Sequence, residues 1–170
     1  LSHYGSGLAC ARGAVIQECL FEANAGGSYA VHFYAAGTGD SALMLDSVVS
    51  NNAVRGVYVD GGAVVRNSLI ATNVGGVALI NGLVEDCEIV ENYNNSGVSI
   101  NGLPETAVLR GCLIARNNNP TSNRGGGIYF YPGGGLVENC VIRDNSGIAY
   151  SASAGGGGIL RPPGRLDLAD

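Results

Sequence analysis

Lysine and tryptophan are absent from this 170-residue chain, methionine occurs once, histidine twice, and charged residues make up only 14% of positions. Without lysine there is no ε-amino group to act as a base or a substrate clamp. The scarcity of strong helix formers, with glycine interrupting every few residues, excludes a helical bundle. No apolar run has the length of a membrane-spanning helix, so no membrane insertion by this segment is expected. The nine cationic residues are all arginine, the net charge is −5, and nothing forms a basic stripe with interleaved aromatics. Nucleic-acid binding is therefore not expected. The five cysteines (Cys10, Cys19, Cys87, Cys112, Cys140) are odd in number and lack CxxC spacing, against both a disulfide framework and a zinc site. No metal centre and no cofactor are expected. No signal peptide is visible, and with Leu1 in first place the chain reads as a mature product or an excised piece.

What the chain has is glycine, 28 residues of it, and 46% hydrophobic residues. Glycine without a G-X-Y period excludes collagen, and the apolar content excludes disorder. Six segments align without gaps: AVIQECLFEAN (14–24), ALMLDSVVSNN (42–52), AVVRNSLIATN (63–73), GLVEDCEIVEN (82–92), AVLRGCLIARN (107–117) and GLVENCVIRDN (135–145). Cys or Ser is sixth: Cys19, Ser47, Ser68, Cys87, Cys112, Cys140. Asn is last: Asn24, Asn52, Asn73, Asn92, Asn117, Asn145. Both columns advance by the same irregular steps, so length variation lies outside the eleven-residue core. A second short strand sits between cores, usually after glycine, as in Gly56-Val57-Tyr58-Val59, Gly76-Val77-Ala78-Leu79, Gly97-Val98-Ser99-Ile100 and Gly127-Ile128-Tyr129-Phe130; Ala30 takes the glycine place before Val31. Alternating short strands in units of this size, joined by Gly/Asn turns, describe the coils of an all-β solenoid.

The pattern resembles the right-handed parallel β-helix of the pectate-lyase-like superfold. It is most like the passenger repeats of polymorphic outer-membrane proteins and autotransporters, which carry FxxN and GGxφ motifs. Phe21-Glu22-Ala23-Asn24 matches the first, and Gly75-Gly76-Val77 and Gly126-Gly127-Ile128 echo the second. The resemblance implies about seven coils in one domain spanning 1–170. The tail 161–170 reads as a cap or linker, and the whole as a segment of a longer protein.

On successive rungs about 4.8 Å apart, the eighth-position column (Phe21, Val49, Ile70, Ile89, Ile114, Ile142) and the strand column (Leu8, Val31, Val57, Val77, Val98, Ile128) are expected to stack inward. The Asn column is expected to form a side-chain ladder at a corner, and the Cys/Ser column a row of buried thiols and hydroxyls. Disulfides Cys87–Cys112 or Cys112–Cys140 are within Cα reach, but stacking points most such side chains the wrong way. Alternating charges in position four (Arg66, Glu85, Arg110, Glu138) and position ten (Glu91, Arg116, Asp144) are expected to pair between rungs and hold register.

Two sets of outward residues are candidates for contact. Position seven (Leu20, Val48, Leu69, Leu113, Val141, broken by Glu88) reads as a partner interface. The outward positions of the glycine-led strand give His32, Tyr58 and Tyr129, with Tyr34 and Tyr131 nearby. These rings read as a shallow glycan- or partner-binding face. No catalytic residues are assigned: the acids are scattered (Asp60 ends a strand, Asp40 is in a loop), whereas glycoside hydrolysis needs two juxtaposed carboxylates. The expected role is a noncatalytic extracellular or cell-surface module for adhesion, binding or display as a stalk, with a glycan or a cell-surface protein as partner. Two alternatives stand beside it. A carbohydrate-active β-helix enzyme predicts clustered acids in an outward groove. A structural subunit packed end to end or laterally predicts bare coil ends and a covered position-seven stripe.

Overall fold

The computed structural model describes residues 5–36, 39–121, 124–147, 157–160 and 168–169. His3, the tail segment 161–167 and parts of the longer loops lie outside the described residues. Three parallel sheets run the length of the molecule, and each coil contributes one strand to each. The third coil is representative: Arg55–Val59 lies in the first sheet, Ala63–Arg66 in the second and Leu69–Ala71 in the third. Six coils are complete among the described residues. Ile159–Leu160 and Leu168–Ala169 add the first two strands of a seventh. A short extra parallel pair, Asn118–Asn119 with Ser146–Gly147, forms beside the fifth and sixth coils.

Register follows the repeat. Val77 pairs with Val57 and Val98, and Ile89 with Ile70 and Ile114. Val49, Ile70, Ile89 and Ile114 are fully buried, as are Val31, Val57, Val98 and Ile128. Each such side chain contributes about 1.5–3 kcal/mol of burial. The column ends Phe21, Ile142 and Leu8 are half-buried, each with one stacking neighbour among the described residues.

The Asn column is the corner ladder. Asn73 uses all four of its amide sites. Its Oδ1 accepts from the backbone N–H of Asn52 at 3.2 Å and from Asn52 Nδ2 at 2.7 Å, while its Nδ2 donates to Asn92 Oδ1 at 3.1 Å and to the Val49 carbonyl at 2.9 Å. The side-chain rung recurs from Asn24 to Asn145. Asn73, Asn92 and Asn117 have no solvent exposure, which a primary amide tolerates only with its hydrogen bonds made.

That ladder bears on the glycine that opens five of the first-sheet strands, Gly7, Gly56, Gly76, Gly97 and Gly127; in the second coil Ala30 stands in its place. A Cβ on Gly97 would lie 2.6 Å from Asn117 Nδ2, one on Gly127 2.9 Å from Asn145 Nδ2, and one on Gly76 3.1 Å from Asn92 Nδ2. The opening glycine and the closing asparagine of one coil occupy the same corner, so the two motifs are halves of one device.

The bend itself falls one residue earlier than an Asn turn implies. The left-handed residue is position ten (Ala23, Asn51, Thr72, Glu91, Arg116, Asp144, with φ of 54–58°), immediately before each asparagine. A second left-handed bend occurs at position five in every coil: Glu18, Asp46, Asn67, Asp86, Gly111 and Asn139. Position five favours residues that accept this conformation. Position ten includes Thr72, a β-branched residue, so coil geometry imposes the bend there. The backbone N–H of nine of these twelve bend residues bonds a carbonyl of the next coil, as Asp46 does to Arg66 and Asn51 to Ala71.

Candidate ligand-binding face

Three outward surfaces follow from this cross-section. On the second sheet, Glu85 is held between Arg66 at 2.6 Å and Arg110 at 3.3 Å, and Arg110 continues to Glu138. The hydrogen bond from Arg66, with the field of both guanidiniums, holds the Glu85 carboxyl below its usual range. Position-ten pairing is shorter: Arg116 reaches Glu91 at 2.8 Å, whereas Asp144 pairs with Arg143 of its own coil.

On the third sheet, the position-seven residues point outward. Leu20 is 63% exposed and Val141 55%. Val48, Leu69 and Leu113 between them are half-buried. Their partial cover is local, because Leu69 and Leu113 pack on the outward row Ala71, Val90 and Ala115. The stripe is therefore most open at its two ends. Sequence reasoning also missed the outward position-two row of the second sheet, where Val15 is exposed and Leu43, Val64, Leu83 and Val108 are half-buried.

The Cys/Ser column forms a second, thinner ladder. Ser47 and Ser68 donate to the carbonyls of Leu45 and Arg66, and Cys87, Cys112 and Cys140 donate to those of Glu85, Arg110 and Glu138. All five cysteines are free thiols, and Cys19, in the first coil, is exposed. The hydrogen bond with Cys140 pulls Cys112 down, but that with Cys87 and burial push it up, to a net value of about 12. Interaction with Cys112 lowers Cys87. These thiols serve as small donors within the wall.

The first sheet differs. Its outward column reads Ala9, His32, Tyr58, Ala78, Ser99, Tyr129 in register. The candidate aromatic residues form two clusters. The lower one gathers His32, Tyr34 and Tyr58, with ring centroids 4.6 Å apart for His32–Tyr58 and 6.0 Å for His32–Tyr34. It recruits Tyr29, 5.0 Å from Tyr58. His32 is only 9% exposed, so it supports the tyrosines more than it offers a surface. Burial, then Asp60 and Tyr29, raise the Tyr58 phenol above its ordinary value. The upper cluster is Tyr129 edge-on to Tyr131 at 4.8 Å.

Between the clusters the column shrinks to Ala78 and Ser99. Three rung steps separate Tyr58 from Tyr129, about 14 Å. The result is a trough with aromatic ends and a small-residue floor. A notch along it is bounded by Arg55, Gly75, Ala78, Asn95, Ser96 and Ser99. Ser96 is 2% exposed, and its hydroxyl has no hydrogen-bond partner. Two arginines were missed by sequence reasoning. The Arg55 guanidinium lies 5.7 Å from the Tyr29 ring centre and donates to the Tyr29 hydroxyl at 3.1 Å. That of Arg124 lies 5.1 and 5.2 Å from the Tyr129 and Tyr131 ring centres. Both approach from the side on which the first-sheet strands begin, where the sequence pattern gives no periodic signal.

No curated protein and no solved structure matches the chain. The family model described as "right handed beta helix region" matches residues 4–159, nearly the whole length, and the chain belongs to that family, whose right-handed winding is the hand of this solenoid.

Proposed function

We propose that the chain is a noncatalytic extracellular or cell-surface module that binds a glycan along the outward face of its first sheet, the solenoid serving as a rigid display scaffold. The observation that carries this reading is the trough, with Tyr58 and Tyr34 at one end, Tyr129 and Tyr131 at the other, and Ala78 and Ser99 as the floor. Tyrosine offers an apolar ring face and a polar edge, the combination that stacks on pyranose rings. The groups facing the trough support binding over bond cleavage. They are phenols, guanidiniums resting on rings, the Ser96 and Ser99 hydroxyls and the Asn95 amide, with Asp60 at the strand end, whose Oδ1 is engaged by the Gly61 N–H at 2.7 Å.

A glycan array probed with the wild-type chain and with Tyr58→Ala and Tyr129→Ala tests the reading. Retention of specific glycans by wild type, lost in both variants, is expected. Identical retention by all three, or none by wild type, overturns it. The open ends of the position-seven stripe at Leu20 and Val141 favour lateral self-association as a second role. Sedimentation of wild type against Leu20→Ser/Val141→Ser reads it directly, and a monomer at all concentrations removes it.

A further inference from the structure

The Cys/Ser column changes character halfway along the solenoid. Its first three rungs are Cys19, Ser47 and Ser68, and its last three are Cys87, Cys112 and Cys140. The last three thiols are placed alike. Each donates to the carbonyl two residues before it, at 3.2, 3.1 and 3.3 Å. Each also lies 3.6–3.7 Å from a carbonyl of the preceding coil, those of Val65, Val84 and Leu109. Three side chains with the same contacts in successive coils share one orientation, so their sulfurs repeat at the rung spacing of about 4.8 Å. Cys87 and Cys112 are buried within the apolar core, and Cys140 packs against it.

That spacing has a chemical meaning. A disulfide bond is about 2.05 Å long, so thiols stacked in this orientation stand too far apart to join. Two metal–thiolate bonds of about 2.3 Å laid end to end span about 4.6 Å, within the tolerance of a metal site. The gap between neighbouring rungs is one ion wide. No group of three or more His, Cys, Asp and Glu side chains suited to a metal ion occurs among the described residues, so a tetrahedral or octahedral ion lacks ligands there. We propose that the thiol ladder is a two-coordinate site for a soft monovalent d10 cation such as Cu(I), held linearly between Cys112 and either Cys87 or Cys140. Binding breaks two S–H bonds, forms two sulfur–metal bonds and releases two protons to solvent, so the pair and its ion carry one negative charge. Backbone N–H groups meet that charge. On the serine rungs the N–H groups of Cys19 and Ser47 donate to the next Oγ at 3.1 and 3.2 Å. On the thiol rungs those of Cys87 and Cys112 act likewise on Cys112 and Cys140. Cys112 belongs to both gaps. A sulfur with metal bonds on opposite sides in one line loses its bent geometry, so the three thiols hold a single ion. Two serine rungs separate Cys19 from Cys87, which leaves Cys19 outside the ladder.

Anaerobic titration of the reduced, intact chain with Cu(I), buffered by a competing Cu(I) chelator, tests the proposal, with X-ray absorption reading the ligands of the retained copper. A single Cu(I) per chain with two sulfur neighbours is expected. Serine already occupies this column at Ser47 and Ser68, so serine variants of its cysteines are expected to fold, as thermal melts check. Cys112→Ser and the double variant Cys87→Ser/Cys140→Ser are expected to lose the ion. Cys87→Ser and Cys140→Ser alone are each expected to keep it, because one gap remains, and so is Cys19→Ser. Failure of the wild-type chain to hold Cu(I) against the chelator overturns the proposal. So does equal retention by Cys112→Ser, or loss of the ion in Cys19→Ser. Zn(II) bound as tightly as Cu(I) overturns it too, because zinc takes four ligands. Copper with more than two sulfur neighbours, or with nitrogen or oxygen neighbours, overturns it in the wild-type chain without any substitution.

Discussion

The Asn–Gly corner and the outward face of the first sheet are built from adjacent residues in every coil, yet they follow opposite rules. The corner has the same asparagine six times over, each bonded to the next, and its opening glycine is kept in every coil but one. The face changes at every rung, from alanine to histidine, tyrosine, alanine, serine and tyrosine. The corner satisfies its own polar groups internally, so any departure leaves a buried partner unmatched. The face has no such constraint. Repetition therefore marks what holds the coils together, and departure from repetition marks where the molecule is free to meet something else.

The most damaging change to this contrast is at the corner. Asn92→Ala removes two acceptor and two donor bonds linking Asn73, Asn117 and the Ile70 carbonyl. With buried partners left unpaired, it is expected to destabilise the chain by about 4 kcal/mol, read by denaturant unfolding. Gly97→Ala comes next, at about 2 kcal/mol, because its Cβ presses on the Asn117 amide. A matching melt for Gly97→Ala and wild type removes the claim that the two motifs form one device.

Charge pairing between rungs gives an intermediate effect. Glu85→Arg places a third guanidinium in line with Arg66 and Arg110 and is expected to melt at a lower temperature than Glu85→Gln. The pH dependence has a definite sign. The Glu85 pKa is lowered in the folded state, so its stabilisation is present above the unfolded value of about 4.3 and is lost as pH falls through the lowered folded value. Glu85→Gln is therefore expected to flatten the stability profile below that pH, and an unchanged acid limb contradicts the pairing. The smallest effect is at a bend. Ala23→Gly relieves a left-handed alanine at φ 56° and is expected to stabilise by about 0.5 kcal/mol, the relief being partly offset by the entropy of an unfolded glycine.

Much of this architecture was legible in the sequence because stacking forces equivalent residues into columns. The identity of the Asn and Cys/Ser steps located the coils, and the small size and polarity of those residues announced a crowded, hydrogen-bonded wall. The left-handed bends were not legible. Glu18, Ala23, Thr72 and Arg116 have no preference for that conformation, and only closure of the coil places them there. The candidate rings at Tyr58 and Tyr129 were legible from strand alternation. Tyr29, Arg55 and Arg124 were not, since they sit where strands begin and vary from coil to coil. The burial of His32 depends on three neighbouring rings from two coils, which a one-dimensional pattern does not encode.

The central claim is that the repeating corner carries the fold and the varied face carries the contact. It is tested most directly by a double variant, Tyr58→Ser/Tyr129→Ser, which makes the two aromatic rungs resemble Ser99. Melting temperature and glycan-array retention are measured on one preparation. The account predicts a melt close to wild type and loss of the glycans that wild type retains. A variant that retains those glycans at wild-type strength contradicts it.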